Sequence, residues 1–496
     1  MSPSAIFRAA ADLGAGSGRV FVGALNTPAP ALQEVHRFTY APRRRAGHLR
    51  WDAAALLAGL REGMVRASDT ARRAGGALDS VGVDAWGVDY ALIGDEGRLL
   101  EDPVCYRDER IAGVTDRVLA RVSQSRLFEA TGIQRLPFNT LFQLVAHVES
   151  GLPPEATRLL MIPDLCHHFL CASQTSEPTN ASTTQLLNAR DRDWDAELFS
   201  ELGLPRHLMP PLKPAGAVLG SLRSDLRDAL ELPEIRVIQP ATHDTASAVA
   251  GTPLTAGWAF ISSGTWSLVG VERRAPLLDS AAGVANFTNE IGVGGTVRFL
   301  KNVMGLWILD SCVREWSAHG VAPTLSELLA RAAAAPAAVA LVFPDAARFF
   351  NPPSMTIELR LALEETGQPA PDDPVGLTRI IIDSLALRYA SVVADIERLT
   401  GESIRGIHII GGGALNDLLN QATADASARP VLAGPVEAAA LGNLCVQAMA
   451  GGDVSSIEEG RHRLAAADPP RRFEPRPVPR WRAARNRYAD LEAAQR

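Results

Sequence analysis

Ile6-Phe-Arg-Ala-Ala-Ala-Asp-Leu-Gly-Ala-Gly-Ser-Gly-Arg-Val-Phe-Val-Gly-Ala-Leu25 is the stretch on which the fold turns. Residues 6–13 are an apolar run into which Arg8 intrudes, and residues 20–25 are another, so two strands are expected with a short connection between them. That connection, Asp12-Leu-Gly-Ala-Gly-Ser-Gly-Arg19, carries glycines at 14, 16 and 18. Glycine allows the dihedrals and the close approach that let backbone N–H groups converge on an anion. The alternating spacing is not the dinucleotide-binding fingerprint, and the loop leads into a strand instead of a helix. A purely structural hairpin turn is the competing reading.

Outward from this hairpin, residues 33–40 supply a third strand and residues 51–74 a long helix with Leu56, Leu57, Leu60 and Met64 on one side. Strand, hairpin, strand and helix in this order open an actin-like nucleotide-binding domain. The second half repeats the layout: Gly257-Trp-Ala-Phe-Ile-Ser-Ser-Gly-Thr-Trp-Ser-Leu-Val-Gly-Val271 is again strand, small-residue loop and strand, with Gly264 and Thr265 at the turn. Two such hairpins, each opening a domain, are suited to holding a triphosphate. Residues 406–419 then give a strand ending in Gly411-Gly-Gly413 and a helix, where a flat base or ribose can lie against bare backbone.

Two further stretches carry chemistry. Residues 80–93 read as a strand that stops at Trp86-Gly87 and resumes. An aromatic ring beside a bare backbone and the carboxylate of Asp89 suits a sugar, while a core Trp in a bulged strand is the plain alternative. At the midpoint, Gln239-Pro-Ala-Thr-His-Asp-Thr-Ala-Ser-Ala-Val-Ala250 follows a short strand at 234–238 and opens a helix. Asp244 thus sits where a strand gives way to a helix, as a cap or as a reactive carboxylate.

The rest of the chain sets bounds. At 496 residues it exceeds one core, since a domain takes roughly 100 to 200 residues. A formal charge of −7 argues against a general nucleic-acid binder. Five scattered cysteines, with no signal peptide and no long apolar run, point to a cytoplasmic protein. Cys166-His-His-Phe-Leu-Cys171 imitates a metal site but is expected to be a plain helix. Residues 116–200 read as helical with polar interruptions at 137–140 and 177–184 that are candidates for a cleft rim, 301–307 as the start of an amphipathic helix, 373–399 as a long helix and 430–442 as a last strand and helix. The polar, arginine-rich residues 453–496 read as a solvated terminal helix.

Asp12-Leu-Gly14, Trp86-Gly-Val-Asp89, Leu136-Pro-Phe-Asn-Thr-Leu141, His243-Asp-Thr-Ala-Ser-Ala248, Ser262-Ser-Gly-Thr-Trp-Ser267, Met304-Gly-Leu-Trp307 and Gly434-Pro-Val-Glu437 together resemble the FGGY carbohydrate kinases over about residues 5 to 450. The resemblance implies an α/β fold of two actin-like (ribonuclease H-like) ATPase domains around a central cleft. The domains are expected at 1–245 (sugar side) and 246–452 (nucleotide side), with 453–496 as a tail. It implies transfer of the ATP γ-phosphoryl group to the 1-hydroxyl of a ketose, with wording nearest the branch acting on L-rhamnulose. L-fuculose, D-xylulose and a non-enzymatic actin-like ATP-binding protein remain alternatives. By the same likeness Asp244 is the base, and Trp86, Gly87, His243, Thr245 and Asn302 touch the sugar. Ala15, Gly16, Ser17, Gly18, Arg19, Thr265, Gly412 and Gly413 touch ATP. Asp310 stands where the family usually has a glutamine near the nucleotide, and a carboxylate there would repel phosphate or favour metal. Asp12 is expected to hold Mg²⁺ through water, because magnesium keeps several waters and needs few acids. A monomer or homodimer, with ketose and ATP as its small-molecule partners, completes the expectation.

Overall fold

The apolar run at 6–13 becomes the strand Ile6–Leu13, and the glycine loop returns it as Ser17–Ala24. This is a computed structural model describing residues 5–27, 31–320 and 324–495. The first sheet places Ala31–Thr39, Ser17–Ala24, Ile6–Leu13, Ala77–Ala85, Arg236–Ile238 and Val218–Ser221 side by side. The first three are antiparallel to one another, the next two pairings are parallel, and Val218–Ser221 closes the edge antiparallel. Ala9, Ala10, Ala11 and Leu13 are fully buried, as a strand covered on both faces requires. The helix Ala53–Arg73 lies on this sheet through Leu56, Leu60, Met64, Ala67 and Ala71, and Asp52 caps it by accepting the Ala55 N–H at 3.0 Å.

The second sheet repeats the sequence of pairings. Trp258–Ser263 runs antiparallel to Trp266–Arg273 and parallel to Gly406–Ile410, which is parallel to Val431–Ala433. Arg471–Phe473 then closes the edge antiparallel, as Val218–Ser221 does in the first sheet. The residues beyond 453 are therefore not a solvated tail. They supply this strand and the helix Pro479–Ala493, which buries Trp481, Ala484 and Tyr488, and Glu492 pairs with Arg388 at 2.8 Å. The stretch is rich in arginine, but its few apolar residues recur at helical spacing and find a core.

The chain divides into two units. One comprises Met1–Pro253, Glu272–Phe299 and Ala438–Asp468, the other Leu254–Val271, Leu300–Glu437 and Pro469–Arg496. This differs from a division at 245/246 with a separate tail, because the helices Asp244–Ala250 and Ala438–Ala450 pack together within the first unit. A Cβ on Gly251 would stand 2.4 Å from the Ala438 carbonyl oxygen, so the two backbones meet almost directly.

Two other expectations are corrected. Residues 301–304 end the strand Val297–Met304, and the helix begins only at Trp307. Gly305 interrupts the apolar spacing: its N–H donates to the Thr265 carbonyl at 3.2 Å, and a Cβ there would lie 2.5 Å from the Gly264 oxygen. Within 116–200 lies a strand, Arg158–Met161, paired antiparallel with Tyr90–Ile93. The strand that stops at Trp86 thus resumes in a separate ribbon rather than in the main sheet.

Candidate active site

In the first unit the site is built on a cross-strand row. Arg19 pairs in register with Asp12, and Asp12 with Asp84 on the next strand, so the three side chains share one face. Arg19 bonds Asp12 at 2.6 Å. Burial, and then Asp12, push the Asp84 carboxyl well above its usual range, against the Asn443 amide that donates to it at 2.6 Å. The loop beside this row is braced by Tyr40, whose hydroxyl lies 2.6 Å from the Gly14 carbonyl and 2.9 Å from that of Ser17. Gly16 has φ +132° and nothing within 4 Å of a Cβ, so its glycine is a backbone requirement. Gly18 is instead enforced by packing, since a Cβ would meet the Phe38 ring at 2.5 Å. The amides of Gly14 and Gly16 turn to the loop's own carbonyls, at 2.9 Å to Ser17 and 2.8 Å to Gly14.

Trp86 ends the neighbouring strand but does not offer an open ring face. Its indole lies 4.7 Å from that of Trp51 and 6.0 Å from the Tyr40 ring, and both indole N–H groups donate to Asp89, at 3.0 Å from Trp86 and 2.6 Å from Trp51. The core reading of Trp86 is correct for its ring, and the residue is 7% exposed. Val88, β-branched at φ +69°, is held in this unfavourable conformation by Thr183, Thr140 and Gln143, which bond its N–H and carbonyl. Glycine at 87 is needed because a Cβ would lie 2.8 Å from the Thr183 hydroxyl.

Asp244 begins the helix Asp244–Ala250, with His243 as the preceding cap residue. Its Oδ1 accepts the Thr245 N–H at 2.5 Å and the Thr245 hydroxyl at 3.1 Å, yet 30% of its side chain stays exposed, enough for a ligand hydroxyl to reach it. His243 lies 3.5 Å from Asp244 through Nε2, while Nδ1 faces Arg298 at 3.1 Å and Glu290 at 3.3 Å. Arg298 is fully buried and pairs with Glu290 at 3.0 Å. The Asp244 carboxylate thus stands beside an imidazole whose other nitrogen is engaged.

In the second unit the turn of the second hairpin, the residues after Val297–Met304 and the glycine run come together. The N–H groups of Gly305 and Trp307 donate to the Thr265 carbonyl, and that of Leu306 to Gly264. Gly411, at φ +78°, lies against the Ser263 backbone. Gly413 is required by packing, because a Cβ would clash with the Ser263 side chain, whereas a Cβ on Gly412 would meet nothing within 4 Å. Gly412 is therefore the open member of the pair. Asn302 is half-buried on its strand. Asp310 lies on the helix Trp307–Ala318, where burial raises its carboxyl and Arg314 opposes the shift.

The Cys166-His167-His168 segment is a helix, Ile162–Cys171, and all five cysteines are free. Among the described residues no group of three or more His, Cys, Asp or Glu is arranged to hold a metal ion. His167 is a structural acceptor for the Val83 N–H at 3.2 Å, and burial lowers it to about 3. Burial likewise lowers His147 and His408 to about 4. The unfolded chain takes up protons near 6.5 where the folded chain does not, so stability is expected to be full above that value and to fall as the pH drops toward 4. Melting curves between these limits check this, and His167→Gln, which keeps an acceptor for Val83, should flatten the dependence. An unchanged slope in that variant would count against it.

Glu177 opens the polar interruption 177–184 that the sequence marks as a candidate cleft rim, whereas Asp84, Glu290, Arg298 and Tyr40 were not singled out from sequence. Of these, only Asp84 left a signal, the one acid in the buried run 80–85 of the strand Ala77–Ala85.

The two repeated hairpin sheets define a two-domain α/β fold, and the family models and relatives make it a phosphotransferase of the carbohydrate kinase class. The model of the FGGY carbohydrate kinase N-terminal domain matches residues 9–251, and that of the C-terminal domain matches residues 259–451. The chain is 44% identical over 473 residues to the rhamnulokinase of Pectobacterium carotovorum subsp. carotovorum (strain PC1), covering 94% of this chain and 92% of that one. It is 38% identical over 472 residues to the rhamnulokinase of Bacillus subtilis (strain 168), covering 95% and 96%. Among solved structures it superposes on gluconate kinase from Lactobacillus acidophilus with TM-score 0.82 at 14% identity, over 99% and 98% of the two chains. The chain belongs to the FGGY family of carbohydrate kinases.

Proposed function

We propose that this kinase transfers the γ-phosphoryl group of ATP to the 1-hydroxyl of L-rhamnulose, with Asp244 as the base. The observation that carries the reading is the Asp244 carboxylate, anchored by the Thr245 N–H and hydroxyl and still 30% exposed beside His243. The rhamnulokinase relatives support the choice of ketose. Gly87, His243, Thr245 and Asn302 are assigned to the sugar, with Trp86 supporting Gly87 through its buried ring. Ala15, Gly16, Ser17, Gly18, Arg19, Thr265, Gly412 and Gly413 are assigned to ATP, with Asp310 near it.

Mg²⁺ fits the residues present. Asp12 stands beside Asp84, whose Oδ1 is buried and has no hydrogen-bond partner among the described residues, and magnesium takes one or two carboxylates while keeping several waters. When bound it would offset phosphate charge. The chain's own part is to hold the acceptor hydroxyl and receive its proton at Asp244. Because the transition state of phosphoryl transfer is loose, the proton leaves late and the carboxylate need not be strongly basic.

A cytoplasmic monomer or homodimer that binds no nucleic acid is the accompanying proposal, supported by the net charge of −7 and the free cysteines. Among the described residues no helix is long and apolar enough to cross a membrane. ADP release measured with L-rhamnulose, L-fuculose and D-xylulose tests the function. L-rhamnulose is expected to give the highest kcat/KM, by about tenfold or more, since misplacing one hydroxyl leaves buried polar groups unpaired. A higher value with another ketose overturns the substrate, and no release with any sugar overturns the kinase reading.

A further inference from the structure

Residues 177–184 touch the pieces of the first unit that carry its site. One oxygen of Glu177, Oε2, accepts the Thr179 N–H at 3.0 Å, the Thr179 hydroxyl, the Thr242 N–H at 2.9 Å and the Thr242 hydroxyl at 3.1 Å. The Thr179 hydroxyl oxygen in turn accepts the His243 N–H at 3.2 Å. Asn180 donates toward the carbonyls of Trp86 at 3.4 Å and Thr242 at 3.3 Å, and Thr183 accepts the Val88 N–H at 3.3 Å. Ser182 accepts the N–H of Ile291, next to Glu290. The peptide between Thr242 and His243 is further held by the Ala85 N–H, which donates to the Thr242 carbonyl at 2.9 Å.

The N–H groups of Thr242 and His243 lie just before the helix Asp244–Ala250 and have no partner within it. Glu177 takes the first directly and the second through Thr179. We infer that Glu177 is a positioning residue for phosphoryl transfer: by gathering these donors it fixes the backbone of Thr242 and His243, and with it the direction in which Asp244 presents its carboxylate to the acceptor hydroxyl. Glu177 is only 1% exposed and acts through this backbone, not on the sugar. A carboxylate oxygen suits the task, because its charge strengthens every bond that converges on it, whereas a carboxamide oxygen is neutral and its NH₂, turned inward, would oppose the donors. The inference rests on the reading of Asp244 as the base.

Wild-type turnover with the ketose panel is measured first, so that a failed function and a failed positioning role are told apart. If no ketose is turned over, both readings fall. With an active wild type, Glu177→Gln and Thr179→Val are expected to lower kcat about 10- to 100-fold, as a displacement of about 1 Å does. Sugar affinity by calorimetry and the melting temperature should change little, and Thr179→Ser, which restores the hydroxyl, should recover most of kcat. Unchanged kcat in Glu177→Gln overturns the inference. So does a loss in which kcat, sugar affinity and melting temperature fall together in Glu177→Gln and Thr179→Val, because that marks a merely structural role.

Discussion

Asp244→Asn is expected to fold, to bind the ketose nearly as the wild type does, and to lose about 10²- to 10⁴-fold in kcat, the range that a general base contributes. The substitution is nearly isosteric, and the amide oxygen can still accept the Thr245 N–H and hydroxyl that now bond Oδ1. The backbone entering the helix is held from elsewhere, by Glu177, Thr179, Asn180 and Ala85, so the geometry of His243 and Thr245 should survive. What is removed is the capacity to take the proton as the oxygen–phosphorus bond forms. An effect confined to kcat is the signature of an interaction made in the transition state. Steady-state kinetics with calorimetric sugar binding decide the matter, and near-normal kcat would refute the assignment.

Gly442→Ala is expected to give the largest loss of stability. A Cβ at this position would stand 1.8 Å from the Ser247 carbonyl oxygen and 2.7 Å from the Gly251 nitrogen. These are backbone atoms of the helix pair Asp244–Ala250 and Ala438–Ala450, so no side chain can rotate away. The helices must separate, in a region where Ala246, Ala440 and Leu444 are already buried. Overpacking costs about 1–3 kcal/mol and occasionally more, and this site belongs at the upper end. A fall in melting temperature of roughly 5 °C or more is expected. The helix that moves begins at Asp244, so kcat should fall as well. Gly412→Ala, with open space at its Cβ, is the control and should melt as the wild type does. An unchanged melting temperature in Gly442→Ala would show that the helices are not in contact as described.

Where pattern and chemistry are local, the sequence was readable. Glycines spaced along residues 12–19 and 257–271 marked both hairpins, and the helical spacing of Leu56, Leu60 and Met64 marked the helix Ala53–Arg73. Asp244 was visible because a strand signal, a small-residue helix and a carboxylate meet within a dozen residues. The same local reasoning misjudged residues 301–304, because the spacing of Leu300, Val303 and Met304 fits a helix as well as a buried strand. It also passed over Arg471–Phe473, a strand too short to be read without the sheet edge that it completes.

The sequence alone thus determined the repeated hairpin-and-sheet plan, the family, and the carboxylate on which the chemistry is proposed to rest, since each is encoded in neighbouring residues. Only the tertiary structure decided what holds that carboxylate in place. Glu177 reaches Thr242 across 65 residues of chain, Asn443 reaches Asp84 across 359, and Arg298 reaches His243 across 55. Buried polar groups must find partners wherever the fold brings them, and one sequence read along its length carries no mark of which distant residues those will be.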